Sequence, residues 1–520
     1  QCFAAARKGR WRWAKDHRPE PIVLTERQAL RPIAHGYTWI HDPATGLWTA
    51  TQPSSWPDSK PGAELEVQRI IDDAIQGRFP DLEIVSFIAH GYPGPDELER
   101  VTVIGPPHVG ALREFAHFHA KALKDRKRGW VRWGSELPIV MPTRSDPQNV
   151  VVQKGKGRMT TDKSLALHAD IDSYNDAVRL DTIPPIVYVR VAQLGRAVAI
   201  LKSSGAAVRL FGFDLEAFFR KTAKQRKHWW MSGTCQFDGY GLDTQVQFGQ
   251  REAPVLCGRQ TCFMVWAIRR ELDRLTAAYP PTDALVIAYV AARTALAEAG
   301  DPACMWSALY CIIMYVDDGG AACFDDLLSD EQGRPVMLMT DDGAAQQSRA
   351  SLFAEATRGV IRYYGHAESE GKCTWQCDTL DFLGITVDPA LMLLYMTRPK
   401  REDYRALIVD VLTGTELPHG CVRAQREGLN SLVHKLLHAS SATALGRQHL
   451  YHVMRALRGA SALRHGGVVL SAQAIVELRW WIERLDQNDA GVPMASNTER
   501  SGPVQASPAC CSSTATRRAS

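Results

Sequence analysis

Two carboxylates stand side by side at Asp317-Asp318, after the run Leu309-Tyr-Cys-Ile-Ile-Met-Tyr-Val316 and ahead of Gly319-Gly320. Eight apolar or aromatic residues followed by two acids and two glycines predict a buried strand, a tight turn and a returning strand. Asp318-Gly319 is a hairpin signal in its own right, so the aspartates also have a purely conformational reading as turn residues. A chemical reading needs a third carboxylate on another strand, with groups that handle nucleotides and nucleic acid around it.

Asp214 supplies a further carboxylate, at the end of the strand-like Phe211-Gly212-Phe213, where its conformational alternative is a helix N-cap. Upstream, the pattern from Asn149 predicts a hairpin turning at Gly155-Lys156-Gly157 and returning through Arg158 to Asp162. Lys154, Lys156 and Arg158 crowd its tip. Such cations either face solvent or clamp a triphosphate, for which the forked guanidinium is suited. Gln245 to Pro254 reads as a loop containing Phe248-Gly249, and Pro254 opens a long amphipathic helix to about Leu275. Lys372-Cys373 and then Asp381 to Asp388 predict a loop followed by a short strand pair.

The 520 residues allow two to four domain-sized units, and a hydrophobic content of 45% supplies apolar surface for substantial cores. A net charge of +4 does not mark the whole chain as a polyanion binder, so local charge must carry that case. Three clusters mix cations with other side chains: Arg7 to Arg18, Lys121 to Arg132, and Phe219 to Trp230. Interleaved rings suit phosphate backbones and unpaired bases, and solvated faces are the alternative. Twelve cysteines form no even framework, and reduced thiols in the cell interior are expected. Cys373-x3-Cys377 near His366 does not have standard zinc spacing. The apolar window Asp283 to Ala297 is too short to span a bilayer and is broken by Arg293. With no charged-then-apolar leader, the expected location is intracellular, cytoplasm or nucleus, with no membrane partner.

Helical spacing predicts helices over Ala63–Gln76, Leu112–Lys124, Leu352–Tyr364, Leu429–Leu437, Gln448–Arg458 and Ala472–Leu485. Residues from about Asp325 to Arg349 read as an acidic, loop-like insertion. From Ala495 onward 14 of 26 residues are Ser, Thr or Ala, which predicts a disordered tail.

In their order along the chain these motifs resemble a reverse transcriptase. The likeness runs through a fingers hairpin, a first palm aspartate, a Phe-Gly-x-x-x-Ala-Pro loop, Tyr315-Val316-Asp317-Asp318, Lys372-Cys373 and a Phe382-Leu383-Gly384 primer grip. It covers about Asn149 to Val387 with motifs and extends less specifically to about residue 485. Retrotransposon enzymes fit best, and the Trp480-Trp481 helix is similar to that of tyrosine-recombinase (DIRS-like) elements. The resemblance implies an α+β right-hand polymerase fold, with fingers, a palm built on a small antiparallel sheet packed by helices, and a mostly helical thumb/connection. It divides the chain into an N-terminal extension (1–100), fingers (101–200), palm with primer grip (201–400), thumb/connection (401–490) and tail (491–520).

The implied activity is RNA-directed DNA polymerisation, in which dNTPs add to a primer 3′-hydroxyl (DNA or RNA) on an RNA or DNA template. Two Mg²⁺ ions, or Mn²⁺, serve such transfers. By the resemblance, Asp214 and Asp317 bridge the metals, the Leu215 carbonyl adds a ligand, and Asp318 completes the negative cradle. Lys154, or Lys156 by a slip of register, and Arg158 hold the triphosphate. Phe219 is the steric gate against a 2′-hydroxyl, Phe248 and Gly249 line the nucleotide pocket, Lys372 neutralises pyrophosphate, and Phe382, Leu383 and Gly384 hold the primer end. Three features depart from the pattern: Phe218 where Ala or Gly is common, the insertion after the Asp317 hairpin, and no ribonuclease H carboxylate set after Trp481. With no protease or integrase segment recognised, the chain reads as the polymerase part alone. Two alternatives are a decayed or domesticated nucleic-acid-binding copy and an RNA-directed RNA polymerase; Phe219 counts against the second.

Overall fold

The computed structural model describes residues 22–24, 39–50, 64–133, 138–153, 155–179, 183, 187–236, 239–298, 309–330, 332–340, 343–369, 371–459, 467–487 and 491–494. The basic cluster at 7–18, Lys154 and the tail beyond 494 lie outside them. The longer helices are α1 (Val67–Gln76), α2 (Leu82–His90), α3 (Phe115–Lys127), α4 (Val191–Lys202), α5 (Ala253–Ala278), α6 (Ala284–Glu298), α7 (Arg349–Tyr363), α8 (Arg398–Leu412), α9 (Arg426–Ala439), α10 (Tyr451–Gly459) and α11 (Ala472–Asp486). The strands that matter to the site are β1 (Gln148–Gln153), β2 (Lys156–Thr161), β3 (Val208–Asp214), β4 (Tyr310–Tyr315), β5 (Asp318–Phe324), β6 (Thr374–Cys377), β7 (Leu380–Phe382), β8 (Ile385–Asp388) and β9 (Leu393–Met396). The architecture is mixed α and β with several small sheets. Among the described residues no helix is long and apolar enough to cross a membrane.

The central sheet has the order β4-β5-β3-β6 and is antiparallel throughout. Side chains alternate across it. One face carries Phe211 and Phe213, whose rings stack on Trp375 at centroid distances of 6.0 and 5.9 Å. Helices α5 and α7 cover that face, where Phe353 packs edge-on against Tyr310. Each fully buried side chain of this kind contributes about 1.5–3 kcal/mol. The other face receives α4, which buries Val191, Leu194, Ala197, Val198 and Leu201 at helical spacing. The Leu380 side chain reaches the same face at Gly212, and Phe382 reaches it at Gly320. A second four-stranded sheet, β7-β8-β9 with Val492–Pro493, is thereby joined to the first.

Gly319 and Gly320 differ from the turn role expected of them: both are strand residues of β5, opposite Phe213 and Gly212. A β-carbon at Gly319 would lie 2.2 Å from Phe213 Cζ, so the missing side chain makes room for the ring. The β1–β2 hairpin is present, but Lys156 and Gly157, expected in its turn, already pair with Gln153 and Val152. The predicted helix from Leu112 begins instead at Phe115 after a break at Glu114.

Two other expectations are corrected. In the segment after β5, expected as a loop, strands Met337–Thr340 and Gly343–Gln346 pair antiparallel as an arm. Its base is closed by the buried Arg349, which donates to both Asp326 carboxylate oxygens at 2.7 and 2.8 Å and to the Tyr279 carbonyl at 2.9 Å. The Phe219–Trp230 cluster, read as suited to nucleic acid, is largely interior. Arg220 pairs with Asp243, Lys221 with Glu64, Lys224 donates to Ser232, and Trp229 and Trp230 join a second apolar core with Tyr174 and Leu242. Beyond residue 400 the helices enclose a three-stranded sheet of Thr415–Leu417, Cys421–Gln425 and Gly467–Leu470, which helical spacing alone does not reveal.

Candidate active site

Strand register brings the carboxylates together. Asp214, the last residue of β3, lies directly opposite Asp318, the first residue of β5, and Tyr315 pairs with Asp318 across the hairpin. The loop is therefore Val316-Asp317, two residues earlier than the Asp318-Gly319 turn the sequence suggests. Val316 has a φ of 60°, a conformation costly for a β-branched residue. Positive φ at the first of two loop residues is the II′ pattern that normally takes glycine. Three hydrogen bonds hold this backbone in place. Thr261 Oγ1 of α5 donates to the Val316 carbonyl at 2.7 Å, the Leu215 N–H to the Asp317 carbonyl at 3.0 Å, and the Ser369 N–H to the Asp214 carbonyl at 2.8 Å.

Lys372 Nζ donates to Asp214 Oδ2 at 2.6 Å. Burial opposes the lysine's charge, but the Asp214 hydrogen bond and the nearby Asp318 and Asp317 charges hold its pKa above the ordinary value. The Asp318 carboxyl is pushed up to about 7 by burial, by the charge of Asp317 and by its hydrogen bond with Asp214. Asp317 is also raised, chiefly by burial and then by the Asp214 charge, with Lys372 and Arg158 acting in the opposite sense. Arg158 on β2 thus already acts electrostatically on the cluster. Among the described residues no three His, Cys, Asp or Glu side chains converge as a ready-made cation cage. The donor set nonetheless fits hard cations: three neighbouring carboxylates are all-oxygen ligands, and the raised pKa values of Asp317 and Asp318 mark a shortage of positive charge that Lys372 does not meet alone.

Beyond Asp214, Ala217 takes a φ of 55° and starts a short 3-10 turn. Its first two side chains diverge. Phe218 is buried against the His366 ring at 5.3 Å, whereas Phe219 is half-buried against Phe248 at 5.2 Å. Phe218 therefore fills core rather than crowding the Phe219 side. Gly249 has a φ of 111°, and a β-carbon there would lie 1.9 Å from the Thr161 carbonyl oxygen. The Thr161 N–H donates to the Phe248 carbonyl at 2.9 Å, so the end of β2 docks on the Phe248-Gly249 loop. Asn175, which sequence reasoning missed, clamps the loop from the far side: Nδ2 donates to the Gly249 carbonyl, and the Arg251 N–H donates to Oδ1, each at 2.9 Å. A lone Asn in the short helix Tyr174–Ala177 gives no sequence signal for this.

Phe382 is buried, so its ring serves the core. Leu383 and Gly384, with φ of 55° and 80°, form the two-residue turn between β7 and β8. The Leu383 carbonyl lies 3.1 Å from His438 Nε2 of α9, and the Gly384 carbonyl accepts from the Thr397 N–H at the start of α8 at 3.2 Å. His438 and Thr261 went unnoticed in the sequence because their partners are backbone atoms far along the chain. Cys373 and Cys377 donate to the carbonyls of Asp214 and Leu210.

No family model matches the chain, and no curated protein matches it. Solved structures to which it is similar include the foamy viral protease-reverse transcriptase in complex with RNA/DNA hybrid, at 12% identity and a TM-score of 0.42 over 91% of this chain and 57% of that one. The foamy viral enzyme in complex with dsDNA matches at 12% identity and 0.42 over 83% and 73%, and a dRH form with ds DNA at 13% and 0.44 over 84% and 62%. The chain thus spans 57% to 73% of the length of those chains. Function is accordingly read from the carboxylate cluster and the order of the motifs.

Proposed function

We propose that the chain is the polymerase part of a retroelement reverse transcriptase, adding dNTPs to a primer 3′-hydroxyl on an RNA or DNA template. The observation that supports this most is the register that sets Asp214 opposite Asp318 beside the Val316-Asp317 turn, with Lys372 bonded to Asp214. In this reading 101–200 are fingers, 201–400 palm and 401–490 thumb/connection, and the Trp480-Trp481 helix favours the tyrosine-recombinase subgroup. Asp214 and Asp317 would hold two Mg²⁺ or Mn²⁺ ions, with the Leu215 carbonyl and Asp318 beside them. When bound, those ions supply activation of the 3′-hydroxyl and neutralisation of the leaving pyrophosphate.

The chain's own groups do the rest. Arg158, with Lys154 or Lys156 at the hairpin tip, brings positive charge to the triphosphate, and Lys372 sits where it can meet the charge left on pyrophosphate. Phe219, backed by Phe248, presents a ring against the sugar and disfavours a 2′-hydroxyl. Gly249 keeps the hairpin and the pocket loop in contact, and the Leu383-Gly384 turn supports the primer end. The test is extension of primed poly(rA) with Mg²⁺ and labelled dTTP, run beside Asp317→Asn. Extension by the parent and a loss of at least about two to three orders of magnitude in the variant are expected. Salt-sensitive binding of primer-template without any extension would leave a nucleic-acid-binding remnant as the better reading.

A further inference from the structure

Outside the carboxylate cluster, a cavity of about 410 Å³ lies between the β7-β8-β9 sheet, the first turn of α8 and the end of α11. Asp381, Thr386 and Tyr395 line its floor and sit in register across the three strands. Their strand neighbours Leu380, Phe382, Ile385 and Leu394 are buried on the opposite side, toward Gly212 and Gly320. Alternation therefore puts the cavity on the face of this sheet turned away from Asp214 and Asp318. Its walls carry Arg398, Arg401 and Arg484, three guanidiniums against the one carboxylate of Asp381, which already accepts from Thr386 Oγ1 at 2.5 Å. Arg398 also pairs with Glu402 at the rim. Arg484 is pre-oriented: it lies over the Trp480 ring at 5.4 Å and donates to Gln487 Oε1 at 2.7 Å, while Trp480 stacks on His449 at 3.9 Å. Arg401 Nη1 reaches the Gln487 carbonyl at 3.5 Å, which tethers the second guanidinium to the same wall.

We propose that this cavity is a second, non-catalytic site for phosphate oxyanions, taking either a free di- or triphosphate or a backbone phosphate of a nucleic-acid strand. Forked guanidiniums match phosphate in geometry as well as charge. The Gly384 carbonyl accepts from the Thr397 N–H at the cavity wall. The site stands independently of the catalytic reading.

The test titrates the full chain with inorganic pyrophosphate in EDTA, and separately measures primer-template affinity across salt, for the parent, Arg401→Gln/Arg484→Gln and Asp317→Asn. Pyrophosphate binding at least tenfold weaker in the double variant and unchanged in Asp317→Asn, with the nucleic-acid salt slope unmoved, assigns a free phosphate ligand. A salt slope reduced by about two assigns a strand phosphate. No change in either measurement overturns the proposal. Should the double variant unfold, phenylglyoxal modification of the parent decides instead. Pyrophosphate or duplex must protect Arg401 and Arg484, and equal modification with and without them overturns the site.

Discussion

His366 shows how burial sets chemistry at the scale of one residue. It lies in the core beside Phe218, its Nδ1 buried without a hydrogen-bond partner, and burial together with the Lys221 charge lowers its pKa to about 3. The unfolded chain would bind that proton at about 6.5. Below pH 6.5 the unfolded state therefore takes up a proton that the folded state refuses. Stability falls as the pH drops toward 3, by on the order of 1 kcal/mol per pH unit from this group. His366→Phe should flatten this slope: urea midpoints of parent and variant should diverge between pH 7 and pH 5, with the parent losing more. Equal slopes would remove His366 as the cause. The same burial acts on Asp317 and Asp318, but there the raised pKa values belong to the carboxylate cluster proposed to hold the metal ions.

Elements are coupled through a few backbone contacts. Because a β-carbon at Gly249 would strike the Thr161 carbonyl, Gly249→Ala should push the β1–β2 hairpin off the Phe248 loop. The expected result is a KM for dTTP raised about tenfold or more with a smaller change in kcat, since a misplaced clamp weakens positioning before it alters the reacting groups. An unchanged KM would mean that hairpin and loop act separately. The arm after β5 offers a test of stability instead. Arg349→Leu leaves the Asp326 carboxylate buried and unpaired, at a cost of about 3–5 kcal/mol, and adding Asp326→Leu should recover much of that loss in urea denaturation. No recovery would show that the pair's packing matters more than its charge.

For the molecule as a whole, the proposed reaction depends on which sugars and phosphates the assembled surfaces admit. Phe219 leans on Phe248, and Phe218 is turned away into the core, so only one ring is available to crowd a sugar. Phe219→Ala should raise UTP incorporation relative to dTTP by about tenfold or more in the poly(rA) assay, and an unchanged ratio would take the gate away from Phe219.

The sequence determined much by local rules. Eight apolar residues before Asp317 make a strand, Pro254 starts a long helix, and the spacing of Ala472 to Leu485 makes another. All three are visible because they depend on neighbours a few residues away. The candidate site residues were also legible as an ordered series of motifs. What only the tertiary structure decided were relations between distant segments. Cross-strand register moved the turn to Val316-Asp317 and set Asp318 opposite Asp214. Burial folded Arg220, Lys221 and Lys224 inward to Asp243, Glu64 and Ser232, so most of a run that looked like a binding surface became core, with Arg226 and Lys227 left exposed. Asn175, Thr261 and His438 acquired their positions only by meeting backbone carbonyls and amides far along the chain. The physical reason is the same in each case: local propensity depends on residue types nearby, whereas register, desolvation and hydrogen-bond partners depend on what the rest of the chain brings within a few ångströms.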